Sequence, residues 1–89
     1  MARARNHVPA RLGEKLKQIR EHLDIPSYGE MVRRLNLPDL KLYRASILEY
    51  EANKRTPPLL VLLRYSELSG ISINDMVDDR VDVKLANHR

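Results

Sequence analysis

Apolar residues recur at helical spacing in four separate windows of this 89-residue chain. Leu12, Leu16, Ile19 and Leu23 mark one face of a first helix predicted over residues 9–23. Pro9 suits its first turn, where a missing amide hydrogen costs nothing, and Asp24-Ile25-Pro26 stops it. Ser27-Tyr28-Gly29-Glu30 has the spacing of a capping box: Ser27 accepts from the amide of Glu30, and the Glu30 side chain returns to the amide of Ser27. A second helix is predicted over 28–35, turning Met31, Val32 and Leu35 inward. Gly29 weakens it by about 1 kcal/mol relative to Ala, so packing must hold it. Asn36-Leu37-Pro38-Asp39 breaks the pattern, and Asn36 tolerates the left-handed backbone that ends a helix.

A third helix has two possible starts. Asp39 can cap it directly after Pro38, because Leu40, Tyr43, Ile47 and Tyr50 form one continuous stripe. It can also begin near Tyr43, with 37–42 as an irregular turn; the pattern leaves both open. Ala52 to Thr56 reads as a loop. Pro57 and Pro58 open a fourth helix over 57–69, with Leu59, Leu62, Leu63 and Ser66 inward and Gly70 as its C-cap. Ser72 caps a short fifth helix through about Val77, with Asp75 in its first turn. Val81 and Val83 alternate with charges, so 78–83 is expected to be extended.

Residues 1–8 lack periodicity and read as a flexible basic arm carrying Arg3 and Arg5; 84–89 are equally featureless. With no repeat, low-complexity run or long linker, the expected organisation is the arm (1–8), one domain (9–77) and a C-terminal tail (78–89). The predicted architecture is all-α: a compact five-helix bundle joined by short loops.

Charge sharpens this picture. The net formal charge is +4, but residues 1–66 carry 13 Lys and Arg against 7 Asp and Glu, whereas 67–89 carry 3 against 5. A basic body and an acidic end favour a polyanionic partner, nucleic acid being the commonest, although a solvated surface gives the same count. Zero Cys excludes disulfides and thiol catalysis and fits a reducing compartment. The longest apolar run, Leu59 to Leu63, is far shorter than a membrane span, and Met1 to His7 lacks the apolar centre of a signal peptide.

Little here serves catalysis. His7, His22 and His88 are scattered, and no His, Asp and Glu cluster has metal-site spacing. Glu49 and Glu51 are two apart and point to different faces of a helix. Asp75, Asp78 and Asp79 read as a solvated acidic patch. No Gly-rich phosphate loop and no nucleophile–base pair is present, so neither enzymatic activity nor a cofactor or metal is expected.

The stretch from Arg44 through Ile47, Tyr50, Glu51, Lys54 and Arg55 to Pro57 carries a family resemblance. It is similar to the second half of the helix-turn-helix in lambda-repressor-like and Cro-like DNA-binding domains, the XRE family. The likeness extends over residues 12–77. Leu12, Leu16, Ile19 and Arg20 fall at family positions, and Pro57 to Met76 follows the family's fourth and fifth helices. The resemblance implies a bundle of the lambda-repressor-like DNA-binding type, in which helices two and three form the helix-turn-helix and helix three enters the major groove. It implies a sequence-specific regulator of transcription, of the repressor type, that binds double-stranded DNA as a homodimer. It further implies a cytoplasmic, nucleoid-associated place in a prokaryote or phage. Helix five with Val81 to Val83 is the expected dimer contact, since it remains apolar and uncommitted.

Site residues follow from the same alignment. Tyr43, Arg44, Ala45 and Ser46, with Glu49 one turn on, fall at the outward start of helix three. The fork of Arg44 can make two hydrogen bonds to guanine, or it can hold phosphate. Ala45 can meet a thymine methyl, Ser46 a base edge or phosphate, and Glu49 a cytosine amino group. Leu48 lies between the inner and outer faces. Lys54 and Arg55 occupy the phosphate-contacting turn. Tyr28 can donate to a phosphate at the start of helix two, or pack half-buried. Arg3, Arg5 and Arg11 can reach the backbone or an adjacent groove. Arg20 and Glu51 fall where the family joins helix one to the end of helix three by an ion pair.

Four departures stand out: a turn about five residues longer than usual at Leu37 to Leu42, Tyr28 for Gln, Val32 for a small Ala, and Asn53 for the turn Gly. They give weight to a rival reading, a protein- or RNA-binding module of the same fold with an unidentified, antitoxin-like partnership.

Overall fold

Three turns of apolar residues on the first helix organise the core. In the computed structural model, which describes residues 9–85, Leu12, Leu16 and Ile19 of α1 (Leu12–His22) are fully buried. Against them pack Met31 and Leu35 of α2 (Tyr28–Leu35), Ile47 and Tyr50 of α3 (Arg44–Glu51), Val61, Leu62 and Tyr65 of α4 (Leu59–Ser69), and Met76 of α5 (Ile73–Val77). The result is an all-α compact globule of five helices, with no strand among the described residues. The arm with Arg3 and Arg5, and residues 86–89, lie outside the described residues.

Most helix ends follow from local chemistry. Ser27 Oγ accepts from the amide of Glu30 at 3.1 Å, and Ser72 Oγ accepts from the amide of Asp75 at 3.1 Å. The other half of the box at α2 is not made: the Glu30 carboxylate pairs with Arg33 instead. Gly70 ends α4 in the left-handed region at φ 80°. Four other reversals use that region without glycine: Asp24 (φ 60°), Asn36 (φ 52°), Lys41 (φ 52°) and Asn53 (φ 60°). At Asn53 the geometry is a complete Schellman turn, with the Lys54 amide donating to Glu49 O at 2.8 Å and the Asn53 amide to Tyr50 O at 3.2 Å.

Three expectations are corrected, and the open start of the third helix is decided in favour of the one near Tyr43. The first helix begins at Leu12, not residue 9, because Asp79 takes the amides of Ala10 and Arg11 at 2.9 and 3.0 Å and holds them in a turn. The third helix begins at Arg44: Pro38–Leu40 is a single 3-10 turn closed by left-handed Lys41, so Asp39 does not cap α3. The fourth helix is rotated from its predicted face. Val61 and Tyr65 point inward with Leu62, while Leu59 is 70% exposed and Leu63 also faces out. The five consecutive apolar residues Leu59 to Leu63 that open the helix give no periodic signal to fix that angle. Finally, the expected extended run over 78–83 is interrupted by a turn at 78–81, closed by the Val81 amide on the Asp78 carbonyl at 3.2 Å and by the Arg80 amide and guanidinium on the Asp78 carboxylate.

The C-terminal segment is a strap over α1. Arg11 donates to the Asp79 carbonyl at 2.9 Å and pairs with Asp82, and Val83 and Leu85 pack against the core. Lys15, only 2% exposed, donates its ammonium to the Asp75 and Asp78 carbonyls at 2.7 and 2.8 Å, closing the C-terminal end of α5. Burial, with help from Arg11, lowers the Lys15 pKa below its ordinary value.

Candidate nucleic-acid interface

The starts of α2 and α3 lie side by side, with a side chain of α3 laid over a glycine of α2. A Cβ on Gly29 would stand 3.2 Å from Arg44 Cδ and 3.5 Å from its Cγ, so the Arg44 stem crosses the first turn of α2. The guanidinium of Arg44 makes no hydrogen bond or ion pair among the described residues. Tyr43, 66% exposed, precedes it, and Ala45 follows in solvent. Leu48, one turn on from Ala45, is 48% exposed. The outer face of α3 therefore reads Tyr43, Arg44, Ala45, Leu48.

Ser46 departs from the outward position that alignment implies. It is buried at 7% exposure, and its Oγ accepts from the Tyr43 amide at 3.1 Å while its own amide donates to the Tyr43 carbonyl at 2.9 Å. Its hydroxyl serves the start of the helix, much as a cap serves the orphan amides of a first turn. Leu48 takes the outer place instead; the helical step of 100° per residue carries Ser46 and Ile47 inward together.

Glu49 is half-buried and pairs with Arg55 at 2.9 Å across the end of α3. Such a surface pair is worth about 0–1 kcal/mol, so a phosphate competes readily for Arg55. Lys54, beside it, is exposed with no ion pair among the described residues. Arg11 does not join this surface, because Asp79 and Asp82 hold it on the far strap.

Beneath the face lies a charged clamp. Arg20 Nε and Nη2 donate to the two Glu51 carboxylate oxygens at 2.7 and 3.1 Å, and Nη1 donates to the Ile25 carbonyl at 3.0 Å. The Tyr28 ring covers the guanidinium at 4.9 Å from its centroid. The hydrogen bond to Glu51 raises the Arg20 pKa against the opposing cost of burial. Tyr28 is thus half-buried, its ring engaged on Arg20 at the point where α1, α2 and α3 meet.

Asn53 ties the basic loop to α1. Its Oδ1 accepts from the Gly13 amide at 2.9 Å and its Nδ2 donates to the Ala10 carbonyl at 2.6 Å. Gly13 makes the approach possible, since a Cβ there would sit 2.5 Å from the Glu51 carbonyl oxygen. The sequence offered a partial signal for this: an Asn in place of a turn glycine supplies the left-handed backbone and also an amide that needs partners.

Among the described residues no three His, Asp or Glu side chains gather as metal ligands. No helix among the described residues is long and apolar enough to cross a membrane. No protein-family model matches the chain, and neither a search of curated proteins nor one of solved structures finds a match.

Proposed function

We propose that this chain is a sequence-specific double-stranded DNA-binding regulator of transcription, a repressor of the lambda-repressor-like kind, with α2 and α3 as its helix-turn-helix. The single observation that carries the reading is the open outer face of α3, Tyr43-Arg44-Ala45-Leu48, with Arg44, unpaired among the described residues, beside the start of α2 and Lys54 and Arg55 at the far end. The eight residues of α3 span about 12 Å, comparable to the ~12 Å width of the major groove. The connector between α2 and α3 leaves this face uncovered. Arg44 would read a guanine edge, Ala45 and Leu48 would meet apolar base edges, and Lys54, Arg55 and the first turn of α2 would hold phosphates. One short helix reads only a few base pairs, which favours two copies on a two-fold site. A nucleoid-associated, cytoplasmic location follows from that role.

Selection of bound duplexes from a random pool tests this. A palindromic consensus is expected, with log K falling steeply as log salt rises. Arg44→Ala should abolish preference at one base pair, costing about 1–3 kcal/mol there, while non-specific binding persists. Recovery of no consensus, with binding indifferent to salt, overturns the reading.

One observation favours a second reading. Leu59, Leu60 and Leu63 stand exposed together on α4, on a helix that could instead have turned them inward. A protein-binding module using that face would show no duplex selection and would lose its partner on Leu59→Ser, Leu63→Ser substitution.

A further inference from the structure

The connector from α2 to α3 is a fixed pad, not a slack loop. Leu37, Leu40 and Leu42 are half-buried against the core, and the 3-10 turn Pro38–Leu40 is closed by the Leu40 and Lys41 amides on the Leu37 and Pro38 carbonyls at 3.1 and 3.4 Å. Its two charges line different hollows. Asp39 lines a hollow shared with Leu60 and Arg64 of α4. Lys41 lines a different hollow, of about 420 Å³, shared with Val32 and Arg33 of α2.

Lys41 is also costly to hold where it is. Its φ of 52° lies in the left-handed region that a lysine side chain disfavours. It is exposed and makes no ion pair among the described residues, so no local contact accounts for a lysine at this position. The conformation itself closes the 3-10 turn, but Asn or Gly would hold it with less strain, so it is the choice of lysine that points to a task outside the fold. Lys41 lies three positions before Arg44, so their Cα atoms are within about 11 Å, close enough for Lys41 to reach the edge of a groove that Arg44 enters. Arg34, exposed in the last turn of α2, is likewise without an ion pair among the described residues.

We infer that Lys41 grips a backbone phosphate on the ridge bordering the groove entered by α3, so that the enlarged connector adds a sequence-independent anchor to the interface. The inference rests on the DNA-binding reading above. It makes the long connector part of the interface and not a spacer, and it assigns Lys41 to affinity rather than to sequence choice.

The test uses the full chain, a duplex of the selected sequence and an unrelated duplex, each titrated between 50 and 200 mM salt. Lys41→Asn removes the charge and keeps a residue that accepts left-handed backbone; Lys41→Arg keeps the charge. One lost phosphate contact reduces the salt slope by about 0.9, so the fourfold salt range weakens the Asn variant about 3.5-fold less than the parent. The Asn variant should lose affinity equally on both duplexes and melt no lower than the parent, and the Arg variant should restore the parental slope. A parental slope in Lys41→Asn, while the parent itself binds with strong salt dependence, overturns the inference alone. A selective loss on the chosen duplex overturns it too, making Lys41 a base reader. A parent indifferent to salt on both duplexes removes the DNA-binding reading and this inference together.

Discussion

Replacing Gly13 by Ala should weaken this fold even though Ala is the better helix former. Gly13 lies in the first turn of α1 without positive φ, so Ala suits its backbone and gains at most about 1 kcal/mol of propensity. The obstacle is external. The new Cβ would stand 2.5 Å from the Glu51 carbonyl oxygen, 2.8 Å from Asn53 Oδ1 and 2.9 Å from the Glu51 carbonyl carbon. Two of these are backbone atoms at the end of α3, so relief requires α1 and α3 to part. Overpacking of this kind costs about 1–3 kcal/mol, and parting also stretches the Gly13–Asn53 and Asn53–Ala10 hydrogen bonds, each worth about 1 kcal/mol net. The balance is a loss of about 1–3 kcal/mol, which in a domain this small lowers Tm by roughly 5–20 °C. Gly29→Ala is the matched control. Its Cβ would meet only the flexible stem of Arg44, which can swing aside, so the propensity gain should leave Tm at or above the parent. Thermal melts of parent, Gly13→Ala and Gly29→Ala followed by circular dichroism decide the matter. Equal melting of the two variants would refute the claim that α1 and α3 touch through this glycine.

Other outcomes follow from the same geometry. Arg20→Met and Glu51→Leu should each cost about 3–5 kcal/mol in urea unfolding, since each strands a buried charge, whereas the double variant should recover most of the loss; additive losses would mean the pair is not coupled. The Tyr65 hydroxyl is buried without a partner among the described residues, and burial pushes its pKa far up. Tyr65→Phe should therefore stabilise by about 1 kcal/mol, and a lower melting point would reveal an unseen partner. Acid should loosen the strap on α1. The amides of Arg11 and Ala10 hold the Asp79 pKa below its ordinary value, and the Arg80 side chain holds Asp78 down at about 2. A carboxylate depressed on folding contributes stability above its ordinary pKa and loses it as pH falls through the folded value. The Ala10 and Arg11 amide resonances should thus titrate with a midpoint below 3.8; a midpoint at or above that value would show the contact is not made in solution.

Where the sequence carried local chemistry, the fold could be read from it. Ser27 and Ser72 as caps, Asn36 and Gly70 as left-handed ends, and the inward set Leu12, Leu16 and Ile19 all depend on neighbours within a turn or two. What was misread or missed had a distant deciding partner. Lys15, which no local pattern singled out, is buried because α5 ends over it, sixty residues away in sequence. The angle of α4 is set by Met76, Tyr50 and the rest of the core, which its own run of leucines cannot encode. Ser46 turned inward because the helix starts at Arg44, a choice made by the 3-10 turn and Lys41 rather than by the apolar stripe. In the candidate interface, the cations were visible from composition and spacing. Their availability was not: Arg11 and Arg55 are engaged, while Arg34, Lys41, Arg44 and Lys54 stand without ion pairs among the described residues.

The reversals at Asp24, Asn36, Lys41 and Asn53 have a consequence for how this chain tolerates change. Each bends backward without glycine, so the folded backbone is slightly strained at every corner while the unfolded chain is stiffer than a glycine-jointed one. A mutation to Gly at Asp24, Asn36 or Lys41 would relax the corner and loosen the coil by similar amounts, leaving thermodynamics nearly flat, whereas at Asn53 it would also forfeit the side-chain hydrogen bonds to Gly13 and Ala10. Selection at these hinges therefore acts on what the side chain does outside the bend, and the identity found there is a better guide to purpose than its conformation.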